Sequence, residues 1–416
     1  MKKTIAVIII ILSLTLLLIS SGCSENEPLE VVFVKAADSV DGYACIIKPH
    51  DRDLTILQLT DIHIEYFMST TESLWTAQGI CGNASSTLNM LGDLIDSVNP
   101  DLVVLTGDVE RAFLNDNLAI YTRIAEVFET RDILWMPVFG NHDYEAEYSA
   151  YQHTDKELET ELAKFPHCLI YDGGCQDGAG NYFVNVVDTY GEIIYTLCAL
   201  DCVHGEEYDS GWSYLKTEAQ VNWYETNIKA ISSLRYGENS SEVIPSMVFT
   251  HTPVPQVATG WDTAWNGGSP TSDYHYGNLI SGKNSIASYI PDDIFWNKVL
   301  TLNSTKAMFF GHHHSNDFCF DYMGVTLVSG QMSTNNLDYR IDSDYSGIIF
   351  KEFDFRDLIE YGDDRGGTKI TINSNGSFTV SPVYAREVLS NYYTDYAPDY
   401  ETIYSALEAR GITVIR

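Results

Sequence analysis

The sequence predicts an α/β fold, and three observations predict it. Apolar strand-like runs alternate with amphipathic helical stretches between Leu54 and Phe139, an order that builds layers of sheet and helix rather than an all-β sandwich. Five apolar runs then end in Asp, Asn or His. Leu54–Thr60 leads into Asp61-Ile62-His63, Asp101–Thr106 into Gly107-Asp108, and Leu134–Phe139 into Gly140-Asn141-His142-Asp143. Ile244–Thr250 leads into His251, and Lys306–Phe310 into Gly311-His312-His313-His314. Open α/β sheets gather their ligands beyond strand ends of this kind. Finally, 416 residues with 45% hydrophobic content suffice for a substantial core.

The elements follow in order. Lys2-Lys3 precede the apolar run Ile5–Ile19, and Ser20-Ser21-Gly22-Cys23 follows; a basic start, a short apolar stretch and small residues make an export signal rather than a membrane-spanning helix. Residues 1–22 resemble a bacterial lipoprotein signal, which implies cleavage before Cys23 and lipid on its thiol. Ser20 departs from that pattern, which usually has Leu there, and plain secretion or an uncleaved anchor are the alternatives. Cleavage would remove two lysines, take the formal charge from -34 to -36, and leave an acidic tether over 23–29 ahead of a single domain, 30–416. The implied place is the extracytoplasmic side of a bacterial membrane.

Glu30–Ile47 carries two short Val/Ile-rich pieces and predicts an edge strand. Ser85–Val98 reads as a helix, with Leu88, Leu91, Leu94, Ile95 and Val98 on one face and Pro100 just beyond. Leu118–Glu129 repeats the pattern through Ile120, Ile124, Ala125 and Phe128, and strands Asp101–Thr106 and Ile133–Phe139 follow these helices. Asn181–Val187 and Glu192–Leu200 pair across the turn Thr189-Tyr190-Gly191. Leu215–Leu234 is a long amphipathic helix, and Thr259–Asn284, without periodicity, is a surface loop near the site's rim. Gly324–Ser329, Tyr345–Phe353, Lys369–Ile372 and Ser377–Val380 read as strands, the last two joined by the turn Asn373-Ser374-Asn375-Gly376. Tyr400–Arg410 closes the chain as a helix.

Composition narrows the function. The charge of -34, from 58 acidic against 24 basic residues, excludes a nucleic-acid polymer as the expected partner, since such binding exchanges basic side chains for counterions. It also disfavours long polyanionic substrates. Beyond Cys23, seven cysteines remain: Cys45, Cys81, Cys168, Cys175, Cys198, Cys202 and Cys319. An odd number cannot all pair within one chain; Cys168 and Cys175, flanking a turn-like stretch, are the best local pair, and buried thiols acting as small hydrophobes are the equal alternative.

The strand-end residues read as a metal site. If Thr60–Ile64 continues extended, Asp61 and His63 share one face, and His312 and His314 alternate in the same way around His313. Gly107 lets the backbone turn tightly before Asp108. Asn141 adds a neutral oxygen, and His251 completes the set. Carboxylate, amide oxygen and imidazole together suit borderline divalent metals or iron rather than calcium. There are too many ligands for one tetrahedral zinc, so two metals sharing a carboxylate are expected.

In order and spacing, Asp61-x-His63, Gly107-Asp108, Gly140-Asn141-His142-Asp143, His251 and Gly311-His312-x-His314 resemble the calcineurin-like metallophosphoesterase family. The resemblance spans Leu54 to Ser329. It implies an α/β/β/α sandwich, two mixed β-sheets flanked by helices, and assigns Asp61, His63 and His314 to one metal, Asn141, His251 and His312 to a second, and Asp108 to both. It implies that His142 contacts substrate or protonates the leaving alkoxide, with Asp143 orienting it, and leaves His313 outside the ligand set. The metals it implies are Fe/Zn, Mn or a mixed divalent pair. Within the family the chain is similar to the purple-acid-phosphatase-related branch, shown by His312-His313-His314-Ser315-Asn316-Asp317 and by Gly211-Trp212 with Gln220 and Trp223. Arg111 stands where the purple enzymes place their chromophoric Tyr, which speaks against a tyrosinate–ferric centre.

The expected activity is hydrolysis of small phosphomonoesters. Two metals lower the pKa of a shared water and neutralise the phosphate oxygens, and no side-chain nucleophile is needed. Asn141, His142, Arg111 and His204 are the expected substrate contacts, with Tyr208, Trp212, Trp261, Trp265, Tyr274 and His275 as further rim candidates. Nucleotide or other phosphodiester hydrolysis is the alternative; phosphoprotein phosphatase activity and a non-catalytic extracytoplasmic binding role stand behind it.

Overall fold

Two mixed sheets lie face to face, and each carries helices on its outer side. The computed structural model describes residues 30–64, 84–110, 116–143, 153–204, 214–279, 294–314, 316–335, 352–354, 365–397, 400–409 and 413–415. The signal and tether with Cys23, Arg111, Tyr208, Trp212 and most of the strand expected at Tyr345–Phe353 lie outside these residues.

Each element follows from its local pattern. The first strands are β1 (Val32–Val34), β2 (Ala44–Lys48) and β3 (Leu54–Leu59). The helix α1 (Ala84–Val98), the strand β4 (Leu102–Thr106), the helix α2 (Asn117–Glu129) and the strand β5 (Leu134–Val138) then alternate as predicted. Asp116 starts α2 by accepting from the Ala119 N–H at 3.1 Å, the usual use of an N-cap carboxylate. A short helix, α3 (Asp155–Leu162), was not expected. Its signal was present in Thr154-Asp155-Lys156-Glu157, where Thr154 and Glu157 form a reciprocal capping box. β6 (Tyr182–Asp188) and β7 (Ile193–Ala199) pair antiparallel as predicted. The long helix α4 (Glu218–Tyr236) begins three residues later than expected, because Thr217 and Gln220 cap it and Tyr214–Leu215 forms a short strand.

The segment Thr259–Asn284 corrects an expectation. It is not one irregular loop: after β8 (Ser246–Phe249), the helix α5 (Gln256–Ala264) buries Val257, Gly260 and Ala264, and β9 (Tyr274–Tyr276) joins the edge of a sheet. Gly260 packs so closely on Phe320 that a Cβ there would stand 2.6 Å from its ring. α6 (Ile294–Leu302), β10 (Thr305–Phe310), β11 (Cys319–Tyr322), β12 (Val325–Ser329), β13 (Gly366–Ile372) and β14 (Phe378–Tyr384) follow. A helix at Tyr400–Ala409 matches the expected closing helix.

The larger sheet runs β1-β2-β6-β7-β8-β10-β12-β11-β9, and the smaller β14-β13-β3-β4-β5. β7, β8, β10 and β12 are mutually parallel, as are β3, β4 and β5; of the remaining pairs β2–β6 is parallel and the others are antiparallel. Side-chain alternation sorts the layers. Along β8, Met247 and Phe249 face the shared core between the sheets, while Val248 faces α4, α5 and α6; along β10, Ala307 and Phe309 point in and Met308 and Phe310 out. α1 and α2 cover the smaller sheet through Leu91, Leu94, Ile120, Ile124 and Phe128. The outcome is the expected α/β/β/α sandwich. It brings the C-terminal ends of β3, β4, β5, β8 and β10 to one side.

The cysteines Cys45, Cys168, Cys175, Cys198, Cys202 and Cys319 are all unbridged. Cys168 and Cys175 therefore do not form the local pair, and burial of Cys168, Cys198 and Cys319 fits the reading of thiols as small hydrophobes. Among the described residues no helix is long and apolar enough to cross a membrane.

Candidate metal centre

The five strand-end segments meet where the two sheets abut. Gln58 ties the sheets together: its side-chain N–H group donates to Thr106 Oγ1 and to the Phe310 carbonyl, each at 2.9 Å. Thr60 Oγ1 donates to Asp61 Oδ2 at 2.8 Å, and His251 O accepts from the Gly311 N–H at 2.9 Å. These bonds fix the spacing of the strand ends before any ligand binds.

The local backbone differs from the expected one. Asp61 (φ 49°), His63 (φ 48°), Asp108 (φ 52°) and His312 (φ 71°) occupy the left-handed region, so Thr60–Ile64 and His312–His314 are not extended and two-residue alternation does not explain how their side chains converge. Such conformations cost on the order of 1–3 kcal/mol each and persist where surrounding structure over-determines them. Here the restraint is visible: the Asp61 and His63 N–H groups donate to the Gly107 and Asp108 carbonyls at 3.1 and 3.0 Å, and the His312 N–H donates to the Asp61 carboxylate at 3.0–3.1 Å. The turns need close approach as well. A Cβ on Gly140 would lie 2.3 Å from Asp108 Oδ1, and one on Gly311 would lie 2.0 Å from Thr60 Oγ1.

Two groups of donors result, and Asp108 belongs to both. Asp61, His63, Asp108 and His314 converge as one, and Asp108, His251 and His312 as the other. In the first, His63 Nε2 and His314 Nε2 stand 2.9 Å apart, His314 Nε2 lies 3.4 Å from Asp61 Oδ1, and His63 Nε2 lies 3.7 Å from Asp108 Oδ2. In the second, His251 Nε2 is 3.1 Å from Asp108 Oδ2 and 3.2 Å from His312 Nδ1. Asn141 Oδ1 joins this group at 3.2 Å from His251 Nε2 and 3.0 Å from His312 Nδ1.

This donor set fits divalent metal. Ligand atoms each about 2.0–2.2 Å from a common ion lie roughly 2.9–3.5 Å from one another, which matches most of these separations. His251 is also prepared at its other nitrogen, where Nδ1–H donates to the Thr106 carbonyl at 2.8 Å and leaves Nε2 as the coordinating atom. Asp61, Asp108, Asn141 and His251 are all at most 1% exposed. The two clusters are consistent with a dinuclear metal-binding site.

The electrostatics express the same demand for a cation. Burial holds His63 at about 4 and pushes His312 well below the ordinary imidazole value, the latter aided by the charge of His251, so both present lone pairs. His251 goes the other way: burial would lower it, but the Asp108 carboxylate overrides this and raises it to about 10. Asp61 and Asp108 stay well below the carboxylate range despite burial, Asp61 through hydrogen bonds from His314 and His63, and Asp108 chiefly through the charge of His251. A divalent metal would supply the positive charge that these buried carboxylates call for.

His142 and Asp143 sit beside these groups without joining them. The His142 N–H donates to Asp108 Oδ1 at 2.9 Å, and its ring stands edge-on to His63 with centroids 5.4 Å apart. Asp143 braces the backbone: its carboxylate accepts from Gly140 at 2.7 Å, from Asp108 and Val109 at 2.9 Å and from Glu110 at 3.3 Å. Burial and the Asp108 charge push its carboxyl up to about 6 against the pull of those N–H groups. His313 stacks edge-on against His312, with centroids 5.1 Å apart.

The expected rim is only partly accounted for. His204 lies in a two-residue strand opposite Tyr214. Trp261, Trp265 and Tyr274 pack with Phe318 and Phe320 along the α5–β11 face. His275 is exposed and pairs with Asp321 at 3.0 Å. Trp223 has the packing role, donating its indole N–H to the Gly173 carbonyl at 2.7 Å and lying against Phe183. The sequence reading missed Gln58, Thr60 and Thr106. Their signal was faint: polar residues at the inner ends of otherwise apolar strands.

Comparison with known proteins agrees with this geometry. The sequence profile of the calcineurin-like phosphoesterase family matches residues 54–316, and the chain belongs to that family. It is related to the purple-acid-phosphatase branch. It is 24% identical over 306 residues to "Probable inactive purple acid phosphatase 14" of Arabidopsis thaliana, covering 67% of this chain and 69% of that protein. To "Probable inactive purple acid phosphatase 29" of the same plant it is 25% identical over 302 residues, covering 67% and 71%. Among solved structures, purple acid phosphatase PPD1 from yellow lupin (Lupinus luteus) seeds aligns at 12% identity and a TM-score of 0.43, covering 87% of this chain and 57% of that one. An intact domain of this family with its metal-binding residues in place gives the chain catalytic potential as a metal-dependent phosphoesterase.

Proposed function

We propose that this protein hydrolyses small phosphomonoesters with two metal ions. The observation that carries the reading is Asp108, whose carboxylate is shared by both donor clusters. Asp61, His63 and His314 hold the first ion, Asn141, His251 and His312 the second, and Asp108 both. When bound, two metals supply a water of lowered pKa and neutralise phosphate charge. His142, fixed through its backbone to Asp108 Oδ1, donates a proton from its imidazole to the departing alkoxide. Asn141 and His142 contact the phosphate, with Arg111 and His204 as rim contacts, and Asp143, whose carboxylate holds the Gly140 and Asp108 backbone, orients His142 through that turn. The ions are Fe/Zn, Mn or a mixed divalent pair.

The preference for small substrates is supported by the formal charge of -34, which repels long polyanions. A panel of sugar phosphates, nucleotides, aryl phosphates, phosphodiesters and phosphopeptides, assayed with zinc, manganese or iron, tests this. Monoesters should lead. A diester preference above about tenfold in kcat/KM, roughly 1.4 kcal/mol, would replace the reading with a phosphodiesterase, and turnover of none would leave a binding protein. We also propose that residues 1–22 are removed, that lipid on Cys23 anchors residues 30–416 as one domain through the tether 23–29, and that the enzyme faces outward. Mass spectrometry of the membrane-purified protein checks this, because a mature chain starting elsewhere or an unmodified Cys23 contradicts it.

A further inference from the structure

Behind the ligand His251 lies a buried polar cluster that the reaction does not use directly. β7 and β8 are parallel neighbours, so the residues leaving β7, Leu200-Asp201-Cys202, run beside those leaving β8, Thr250-His251-Thr252. Lys216, just ahead of α4, reaches between them. Its ammonium donates to the Asp201 carbonyl at 2.6 Å, Thr250 Oγ1 at 2.5 Å and Cys202 Sγ at 3.2 Å, with the Leu200 carbonyl 3.4 Å away. Cys202 Sγ in turn accepts from the Thr252 N–H at 3.2 Å and lies 3.2 Å from Thr250 Oγ1. Both residues flanking His251 are thus held by one lysine–cysteine pair.

The pair is built and not incidental. Lys216 is 8% exposed and Cys202 fully buried, where an ammonium is retained only with close hydrogen-bond partners. The cluster is anchored from outside as well. Gln220, which caps α4, donates from Nε2 to the Asp201 carbonyl at 3.0 Å and to Asn181 Oδ1 at 3.2 Å, and the Asp201 N–H donates to that same Asn181 oxygen at 2.9 Å. Cys202 Sγ accepts from both Lys216 and the Thr252 N–H, so the pair is joined by direct bonds as well as by burial. His251 then has a restraint on every side: Thr106 at its Nδ1, Gly311 on its carbonyl, and this pair on its neighbours.

We propose that Lys216 and Cys202 are positioning residues that set the orientation of His251 and thereby the affinity of the second metal position, the one built from Asp108, Asn141, His251 and His312. The role is selective, since the residues the pair holds, Thr250 and Thr252, flank His251 and so bear on the second position. Their part is geometric, acting through Thr250 and Thr252, and neither touches substrate.

This proposal rests on the two-metal reading, and calorimetric titration with Zn2+ separates the two. Wild type, Lys216→Met, Cys202→Ala, Cys202→Ser and His251→Ala are titrated, and thermal unfolding of each metal-free protein is recorded. Uptake of fewer than two ions by wild type overturns the two-metal reading itself. If wild type binds two, Lys216→Met should weaken the same binding step that His251→Ala removes, by about 10- to 100-fold, the usual loss when a partner behind a ligand is taken away, and leave the other step within about twofold. Cys202→Ala should weaken that step too, and Cys202→Ser, whose hydroxyl still accepts from Thr252, should restore much of it. Unchanged affinities, or equal weakening of both steps, overturn the clamp. If Lys216→Met does not fold, the two cysteine variants decide: a selective loss in Ala that is relieved in Ser supports the proposal, and equal behaviour of the two refutes it.

Discussion

Asp108→Asn separates shape from charge at the centre of the site. Asparagine keeps the size of the side chain and an oxygen for the His142 N–H, which now donates to Asp108 Oδ1 at 2.9 Å. It removes the negative charge that lies 3.1 Å from His251 Nε2 and 3.7 Å from His63 Nε2. Asp61 and Asp108 are the two carboxylates in the donor clusters, so the substitution halves the anionic charge facing two divalent ions. Removing one partner of a buried charge pair costs about 3–5 kcal/mol, which corresponds to roughly two to four powers of ten in affinity. Metal content after chelator competition should therefore fall at both positions, and kcat/KM on an aryl phosphate should fall with it. The metal-free variant should unfold at a lower temperature than wild type, because the buried Asp108–His251 pair is broken there as well. Retention of two tightly bound ions with full activity would refute the shared carboxylate.

Other perturbations probe the surrounding parts. His142→Ala should leave metal content intact and lower hydrolysis by roughly 10²–10⁴-fold for poor leaving groups, with a smaller loss for nitrophenyl esters; an equal loss across leaving groups would remove it as proton donor. Asp143→Asn replaces two acceptor oxygens by one where four backbone N–H groups converge, so denaturant unfolding should show a loss of about 2–4 kcal/mol, and wild-type stability would show that the brace is dispensable. Asp201 gives a pH signature: burial, with the Cys202 charge, raises its folded value to about 8. A raised acid binds more protons folded than unfolded, so its contribution favours the fold at low pH and is lost as pH rises from about 4 to about 8. In metal-free protein Asp201→Asn should flatten the thermal stability profile across that window, and an unchanged slope would contradict the assignment.

What the sequence made legible was chemistry placed at the ends of apolar runs. Each of Asp61, His63, Asp108, Asn141, His251, His312 and His314 could be named because a polar or titratable residue leaving a buried strand stands out against Leu, Val and Phe, and strand ends share one side of a parallel sheet. The route by which the side chains meet was not legible. Left-handed backbone at Asp61, His63, Asp108 and His312 is enforced by bonds to Gly107, Asp108 and Asp61 from other strands, and no local pattern encodes it. Tyr274–Tyr276 reads as loop in the sequence for the same reason: its pairing partner, Cys319–Tyr322, is more than forty residues distant. The capping box at Thr154 and Glu157 was readable but lay in a charged stretch with only Leu158, Glu159 and Leu162 buried, too little apolar face for periodicity to register. Lys216 and Cys202 carried no signal; a single lysine and a single cysteine become a pair only when β7 and β8 lie side by side.

The placement of strain completes the argument from fold to site. Four of the seven ligand-type residues hold costly backbone conformations, and each is restrained by groups from a neighbouring segment: Asp61 and His63 by the Gly107 and Asp108 carbonyls, Asp108 by the Asp143 carboxylate, and His312 by Asp61. Asp61 and Asp108 leave the smaller sheet, and His251 and His312 the larger. The first three restraints tie together the strand ends of the smaller sheet, and the His312–Asp61 bond crosses to the larger sheet, as does the Gln58 bond to the Phe310 carbonyl. Sheet packing and metal geometry cannot relax independently in such an arrangement. A cavity-forming change at the inter-sheet residues Phe249 or Phe309, stacked with centroids 4.8 Å apart, should loosen metal binding without touching a ligand, whereas an equal change on the outer face at Ile124 of α2 should lower stability alone.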